Sequence, residues 1–263
     1  MFKPFTQTAI LIAVLAMASA CAPAATPVSV ISTDLPIPTP APTATAIPAS
    51  PTPGELVIVA PNGSPPILDG TMSADEWSDA KRELFSDGSE LFMKLHEGYL
   101  YLGIRARAPG MIVGNIFLSQ GDRVSILHSS AALGTAVYEK GADGFQQTQD
   151  FVWRCRSSSN SPSAQAAREA FLQEEGWLAD ISYMGIPEEL EYKIAMSDGS
   201  LRLAVTFTPA SGVSVRIYWP LSLADDSIKA PQGEFPKNMQ FYPSTWATVT
   251  ADNISAWIEH IGD

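Results

Sequence analysis

The stretch ILDGTMSADEW, from Ile67 to Trp77, marks the point at which the folded part of the chain begins. The pair Asp69–Gly70 predicts a tight turn, because glycine tolerates a positive φ and an aspartate side chain can bond to its own backbone. Ser73 is placed to cap a short helical turn, and Glu76, three residues on, would complete a capping box. These signals aim Trp77 inward as an anchor, so the motif predicts a fold boundary rather than a binding site.

Residues 1–20 have the composition of a bacterial export signal. Lys3 is the only basic residue, and the apolar run that follows, about a dozen residues, is too short to span a bilayer as a helix. The run ends in Ala18-Ser19-Ala20-Cys21, which resembles a lipobox, where the cysteine is lipid-modified and becomes the mature N-terminus. Ala18 stands where leucine is most common, so ordinary signal-peptidase cleavage is the alternative. We expect lipidation of Cys21 to anchor an exported protein to the cell membrane, facing outside the cytoplasm.

Residues 21–54 predict a disordered tether behind the lipidated cysteine. Proline, threonine and alanine dominate this stretch, and Asp34 is its only charged residue. Such a segment cannot bury enough apolar surface to fold, and its prolines favour an extended polyproline II conformation. At about 3.1 Å per residue it would hold a domain on the order of 100 Å from the membrane. Residues 55–263 then have the length of one β-sandwich domain.

Charge and motif content exclude several classes of function. The chain of 263 residues has a formal net charge of −12, which repels nucleic acid and anionic polymers at long range but leaves neutral or cation-bridged glycans open. It contains no GxSxG, P-loop, HExxH or CxxC motif. A glycosidase would need two carboxylates facing one cleft, whereas Glu174–Glu175, Asp180 and Glu188–Glu189 fit a helix end and an acidic loop. The sequence therefore predicts a protein that is not an enzyme.

Short alternating segments, separated mostly by glycine or proline, predict the fold. Leu91–His96 alternates apolar and polar residues, and the turn residues that follow lead into a matching strand, YLYLGIRAR. One face of this hairpin is apolar, and the other carries Tyr99, Tyr101 and Arg105. That second face is expected either to be solvated or to stack on and hydrogen-bond a sugar.

The remaining pattern contains little helix. A helix is predicted from the cap at Ser161 through Glu175, with Gly176 as its stop, and a short one at Ile254–Ile261. Many short strands with few helices indicate a mainly β protein, an antiparallel, jelly-roll-like β-sandwich with one or two short helices. Cys155 has no obvious intramolecular partner and is expected to be a partly buried free thiol.

Four segments occur in the order found in family 9 carbohydrate-binding modules and the wider DOMON-like sandwiches. The opening motif resembles their Ile-Asp-Gly…Glu-Trp start, and GYLYLGIRA is similar to the strand that follows it. GDRVSI resembles their Asp-x-Val-Glu-Ile strand, with Ser125 where an acidic residue is common. VSVRIYWPLSL is similar to a late strand ending in Ile-Pro-Trp, although the order here is Trp219-Pro220. The resemblance spans roughly residues 67–249 and implies a cell-surface module that binds an extracellular glycan.

Such modules commonly clamp a sugar ring between aromatic side chains, while polar groups read its hydroxyls. The candidate carbohydrate-binding residues, chosen by their positions in this chain, lie on the hairpin face and at three tryptophans, namely Tyr99, Tyr101, Arg105, Trp153, Trp177 and Trp219. Packing in the core is the alternative for each tryptophan, since this residue is highly buried on average.

No cofactor is predicted. Some such modules carry structural calcium, for which Asp69, Asp122 and the pair Asp225–Asp226 are the candidates, but none lies in a recognisable ligand loop. Two other functions stay open. One is a structural or protein-binding surface module whose partner the sequence does not name. The other is a haem-binding, DOMON-type electron-transfer domain, whose ligands would come from His96, His128, Met93, Met111 and Met184.

Overall fold

The computed structural model describes residues 55–107, 109–157, 161–181, 188–209, 216–229 and 235–251. Within them, fifteen strands form two sheets, and two α-helices accompany these. The mainly β prediction is confirmed. The predicted signal, the lipidation site Cys21, the tether and the terminal helix at Ile254–Ile261 lie outside the described residues. No helix in the described ranges is long and apolar enough to cross a membrane.

The larger sheet has ten strands. In spatial order they are β1 (Leu56–Ala60), β15 (Ala247–Ala251), β12 (Ser200–Pro209), β5 (Ile112–Gln120), β6 (Arg123–Ser129), β7 (Ala132–Gly141), β8 (Gly144–Gln149) and β14 (Asn238–Met239), with β13 (Ile217–Trp219) beside β12 and β9 (Cys155–Arg156) beside β7. The named strands pair antiparallel except for β1 and β15, which run parallel from Leu56 opposite Ala247 to Ala60 opposite Ala251.

The smaller sheet has five strands and contains the predicted hairpin. Its spatial order is β10 (Trp177–Ile181), β11 (Glu189–Ala195), β4 (Tyr99–Arg105), β3 (Glu90–His96) and β2 (Lys81–Leu84). The turn between β3 and β4 uses Glu97 and Gly98, both with positive φ, which is what a two-residue turn between twisted strands requires. The predicted turn and pairing of this hairpin are confirmed, with His96 opposite Tyr99, although β3 begins at Glu90 and β4 ends at Arg105.

The two sheets pack face to face over one large core. From the smaller sheet, the inner face of the hairpin contributes Leu91, Met93, Leu100 and Leu102, all fully buried. From the larger sheet, the same cluster takes inward side chains of β5 and β12, including Ile116, Leu203 and Phe207. This is the period-two pattern of an antiparallel sandwich.

Helix α2 (Pro162–Glu175) begins and ends where the sequence predicts. The Ser161 hydroxyl accepts a hydrogen bond of 3.3 Å from the Ala164 amide, and Pro162 occupies the first turn. Gly176 ends the helix in the left-handed conformation with φ of 72°, and its amide bonds to the Leu172 carbonyl at 2.9 Å. The helix packs on β10 through Phe171, whose ring lies 5.1 Å from that of Trp177.

The opening motif forms its predicted turn but not its predicted cap. Asp69 Oδ1 accepts a hydrogen bond from the Thr71 amide at 2.8 Å, and Gly70 has φ of 80°. Helix α1 (Ala74–Trp77) lasts one turn. Ser73 precedes it without capping it, because its hydroxyl donates instead to Glu76 Oε2 at 2.8 Å.

Both sheets are also covered on their outer faces. On the smaller sheet, Met72 and Trp77 from the opening motif pack with Tyr101 in a separate buried cluster. Gly103 makes room for them, since a Cβ there would lie 2.3 Å from Met72 Cε. On the larger sheet, residues 223–229 and 235–246 supply a second buried layer that includes Phe241 and Trp246. Trp77 is therefore buried as predicted, but outside the sandwich rather than between its sheets.

Candidate functional site

The six residues expected to bind sugar do not come together. Trp177 and Trp219 are 1 % and 2 % exposed and belong to the core between the sheets. Trp177 sits at the start of β10, and its indole N–H donates to Thr135 Oγ1 at 2.9 Å. Their burial corrects the expectation that either lines an exposed groove, and it confirms the packing alternative for both.

The hairpin face is occupied by the protein itself. Tyr101 is 4 % exposed beneath the opening motif, and burial raises the pKa of its hydroxyl to about 12. The ammonium of Lys193 lies 4.0 Å from the ring centroid of Tyr99. Arg105 donates to Glu189 Oε1 and to the Met72 carbonyl, each at 2.7 Å. Because these rings and this guanidinium already have partners, the face is neither the solvated surface nor the open ligand surface that its alternation indicated.

Trp153 is the exception among the predicted residues. It is 47 % exposed, whereas the four other tryptophans in the described ranges are at most 3 % exposed. Its ring lies 4.7 Å from that of Phe151 and 5.1 Å from that of His128, both in edge-on geometry. These contacts hold one part of the indole and leave the rest in solvent, so Trp153 is a fixed aromatic surface on the outside of the larger sheet.

Three polar side chains lie beneath this surface in one row across the sheet. Thr206 of β12 is opposite Asn115 of β5, which is opposite His128 of β6. His128 Nδ1 lies 2.6 Å from Asn115 Oδ1, and Asn115 Nδ2 donates to Thr206 Oγ1 at 3.5 Å. All three are buried, and the rings of Phe151 and Phe235 lie 5.3 and 5.8 Å from that of His128. We call His128 with Phe151, Trp153 and Phe235 the aromatic cluster.

His128 remains neutral in this setting. Burial, and after it the charge of Arg216, lowers the pKa of the imidazole to about 4. The row continues on β7 at Gly134, where the Phe151 ring packs so closely that an added Cβ would lie 2.6 Å from Cε2. The missing side chain at Gly134 thus positions the segment that carries Trp153.

Arg216 directly precedes β13, and no pattern in the chain singles it out. Alternation puts it on the same face as Tyr218, which is opposite Thr206. Its guanidinium is half-buried, and Nη1 is a buried atom with no hydrogen-bond partner. Sequence reasoning missed it because an arginine in VSVRIYW looks like an ordinary outward residue of a strand.

Several of the carboxylates considered above for a glycosidase form structural ion pairs. Glu174 and Glu175 bind Arg154, and Asp180 Oδ2 accepts from Arg168 at 3.1 Å. Burial raises the pKa of Asp180 to about 6, against the opposing effect of that arginine. Glu174 and Glu175 lie at the end of α2, which is the structural role expected for that acidic stretch.

The residues suggested for haem or calcium are also dispersed. His128 lies on the outer face of the larger sheet, His96 on the outer face of the smaller one, and Met93 in the core between them. Met184 lies outside the described residues. Asp225 accepts from the indole N–H of Trp246 at 2.7 Å. The described ranges contain no group of three or more histidine, cysteine, aspartate or glutamate residues that could hold a metal ion.

A cleft of about 590 Å³ offers a second exposed aromatic residue, Tyr242, which is 53 % exposed. Two of the polar side chains that line the cleft are engaged by the protein. Arg202 pairs with Glu55 at 2.5 Å, and the Gln240 amide donates to the Asp143 carbonyl at 2.7 Å. The aromatic cluster with Arg216 is therefore the better candidate, since it combines a fixed exposed ring with an unused polar group.

No protein-family model and no curated protein matches this chain. Among solved structures, it is similar to that of a "putative carbohydrate-binding protein" from Bacteroides uniformis, with 14 % sequence identity and a TM-score of 0.38. The similarity covers 75 % of this chain and 99 % of the other. A likeness of this size carries no argument about what the present chain binds.

Proposed function

We propose that this chain is an exported lipoprotein whose sandwich binds an extracellular carbohydrate without catalysing a reaction on it. The observation that carries the proposal is Trp153, an indole 47 % exposed and fixed edge-on by Phe151 and His128. An aromatic face held in one orientation stacks on the apolar face of a sugar ring, and little side-chain entropy remains to be lost on binding.

The surrounding residues support this role for Trp153. The buried row of Thr206, Asn115 and His128 fixes the floor of the aromatic cluster through hydrogen bonds between neighbouring strands. Arg216 supplies donors whose partner is not another side chain of the described residues. A stacking surface beside a small number of polar groups is the usual composition of a carbohydrate site.

The proposed placement comes from the N-terminal sequence. Lipidation of Cys21 would hold the protein on the outer side of the cell membrane, and residues 22–54 would let the sandwich reach a glycan at a distance. The partners are therefore an extracellular glycan and, through the lipid, the membrane itself. Mass spectrometry of the protein isolated from membranes tests this part, since a diacylglycerol on Cys21 is expected.

Sugar binding is tested with a glycan array, followed by calorimetry on the mature chain and its variants. Trp153→Ala is expected to lower affinity for any glycan bound by about tenfold, because losing a stacking contact with an aromatic ring costs about 1.4 kcal/mol. Val152→Ala is the matched control, since Val152 is the exposed neighbour of Trp153. An array without binding contradicts the proposal. Sugar-independent capture of one protein would favour an interaction module, and a Soret band on adding haem would favour the electron-transfer domain.

A further inference from the structure

Arg216 differs from four other arginines that lie on or against the sheets. Arg105, Arg154, Arg168 and Arg202 each bind a carboxylate within 3.1 Å. Arg216 forms no hydrogen bond or ion pair with any of the described residues, although its guanidinium is half-buried and Nη1 is inaccessible to solvent. Burial also lowers the pKa of this guanidinium, because removal from water disfavours its charged form.

A buried donor without a partner on a charged group destabilises the folded state. Leaving it without an acceptor costs the desolvation of that group, with no interaction to offset it. The residues around Arg216 do not relieve the cost. Tyr218 and Thr206 on the same face are neutral, and His128 brings no negative charge. Among the described residues the position therefore lacks an anion.

We propose that the sugar bound beside Trp153 carries a carboxylate, as a uronic acid does, and that this carboxylate binds the guanidinium of Arg216. The inference rests on the proposed function and specifies its ligand class. A planar carboxylate accepts two parallel N–H bonds from a guanidinium. Because Nη1 is buried, the two donors would be Nε and Nη2. The acidic ring would thus be fixed by stacking at Trp153 and by charge at Arg216.

The overall charge limits the form of this ligand. A net charge of −12 repels polyanions at long range, but at physiological ionic strength that field is screened beyond about 8 Å. A contact ion pair at a partly buried site is screened much less. We therefore expect a short chain with one terminal uronic acid to bind better than a polyuronate, whose every further carboxylate adds repulsion.

The test uses pairs of methyl glycosides that differ only at C6. Calorimetry on the mature chain compares methyl glucoside with methyl glucuronide, and the galacto and manno pairs likewise, with the matching 6-sulfates as a third arm. The acidic member of at least one pair is expected to bind at least tenfold more tightly than its neutral partner, as a charge-assisted hydrogen bond allows. Arg216→Gln is expected to abolish that preference, so that the acidic and neutral members of each pair bind equally.

Two variants keep the result interpretable. Arg123→Gln removes the same charge from an exposed position on β6 and is expected to keep the preference. If Arg216→Gln does not fold, Arg216→Lys keeps the charge but loses the paired geometry, and it is expected to weaken the preference.

Three results overturn the inference. Equal binding of neutral and acidic sugars, lost in Trp153→Ala, contradicts it while the proposed function stands. Equal binding of the 6-sulfates and the uronates contradicts the choice of a carboxylate. Absence of binding to any glycoside or array glycan removes the proposed function and this inference together.

Discussion

The indole N–H of Trp77 donates a hydrogen bond of 3.1 Å to Oε1 of Glu191, which lies in β11 far along the chain. Oε2 of the same carboxylate accepts from the amides of Gly70 and Asp69 at 3.0 and 3.2 Å. One fully buried side chain thus satisfies three donors of the opening motif. The Asp-Gly turn and the tryptophan occur together in the sequence because both bind the same group on the smaller sheet.

Glu191→Ala is expected to destabilise the fold strongly. The change leaves three donors without an acceptor, and one unsatisfied buried donor costs 1–3 kcal/mol, so a loss of about 3 kcal/mol or more is expected. Urea unfolding of both proteins gives the difference in free energy. Glu169→Ala, at an exposed position of α2, is the control and should change stability by less than about 0.5 kcal/mol. A Glu191→Ala protein as stable as this control would show that the motif is held by other contacts.

Stability is expected to fall as pH rises from about 6.5 to 8. Burial raises the pKa of Glu191 to about 8, against the effect of its three donors, whereas the pKa of an unfolded glutamate has its ordinary value of 4.5. The folded state therefore holds the extra proton across this window, and stability is lost as pH approaches 8. Between pH 4 and 6.5 the low pKa of folded His128 makes stability rise with pH, which opposes the effect of Glu191. The measurement is therefore made above pH 6.5. The melting temperatures of the wild type and of Glu191→Gln are measured from pH 6.5 to 8. An equal dependence of melting temperature on pH in both proteins would contradict the prediction.

Local signals in the sequence predicted the local structure well. The turn at Glu97–Gly98 and the caps of α2 depend on residues within a few positions of one another, and both formed as expected. Alternation in β4 also identified its two faces correctly. It could not show that Met72 and Trp77 return to cover the second face, because that depends on Glu191, which is distant in sequence.

The candidate site was predicted only in part, for the same reason. Trp153 and Trp177 are both sequence candidates for the sugar site, yet Trp177 packs against Phe171 of helix α2 and is buried in the core. The exposure of Trp153 depends on how residues 151–153 cross β7 above Gly134. Neither packing relation leaves a period or a motif in the chain, so composition and spacing could not separate the two tryptophans.

Gly134→Ala is expected to weaken both the fold and the candidate site. An added Cβ would lie 2.5 Å from the Val152 carbonyl oxygen and 2.6 Å from the Phe151 ring, so the segment carrying Trp153 must move. Overpacking of this kind costs about 1–3 kcal/mol. Gly141→Ala is the control on the same strand, because its nearest contact would be an ordinary 3.4 Å. The free energy of unfolding in urea and the sugar affinity should both fall in Gly134→Ala and stay unchanged in Gly141→Ala. An unchanged affinity in Gly134→Ala would show that Trp153 is not fixed through this contact.

Sugar affinity is expected to stay constant from pH 7 to about pH 5 and to fall only near pH 4. His128 supports the ring of Trp153 at 5.1 Å and hydrogen-bonds Asn115, and its pKa is lowered to about 4 because burial opposes its charge. Protonation would put a second cation beside Arg216 inside the aromatic cluster and would loosen the floor of the site. Calorimetry with one bound glycan at pH 7, 5.5 and 4 gives the profile. His96→Gln, on the outer face of the other sheet, should leave it unchanged. Loss of affinity with a midpoint near pH 6.5, the ordinary value for histidine, would mean that His128 titrates as an exposed residue and does not form this floor.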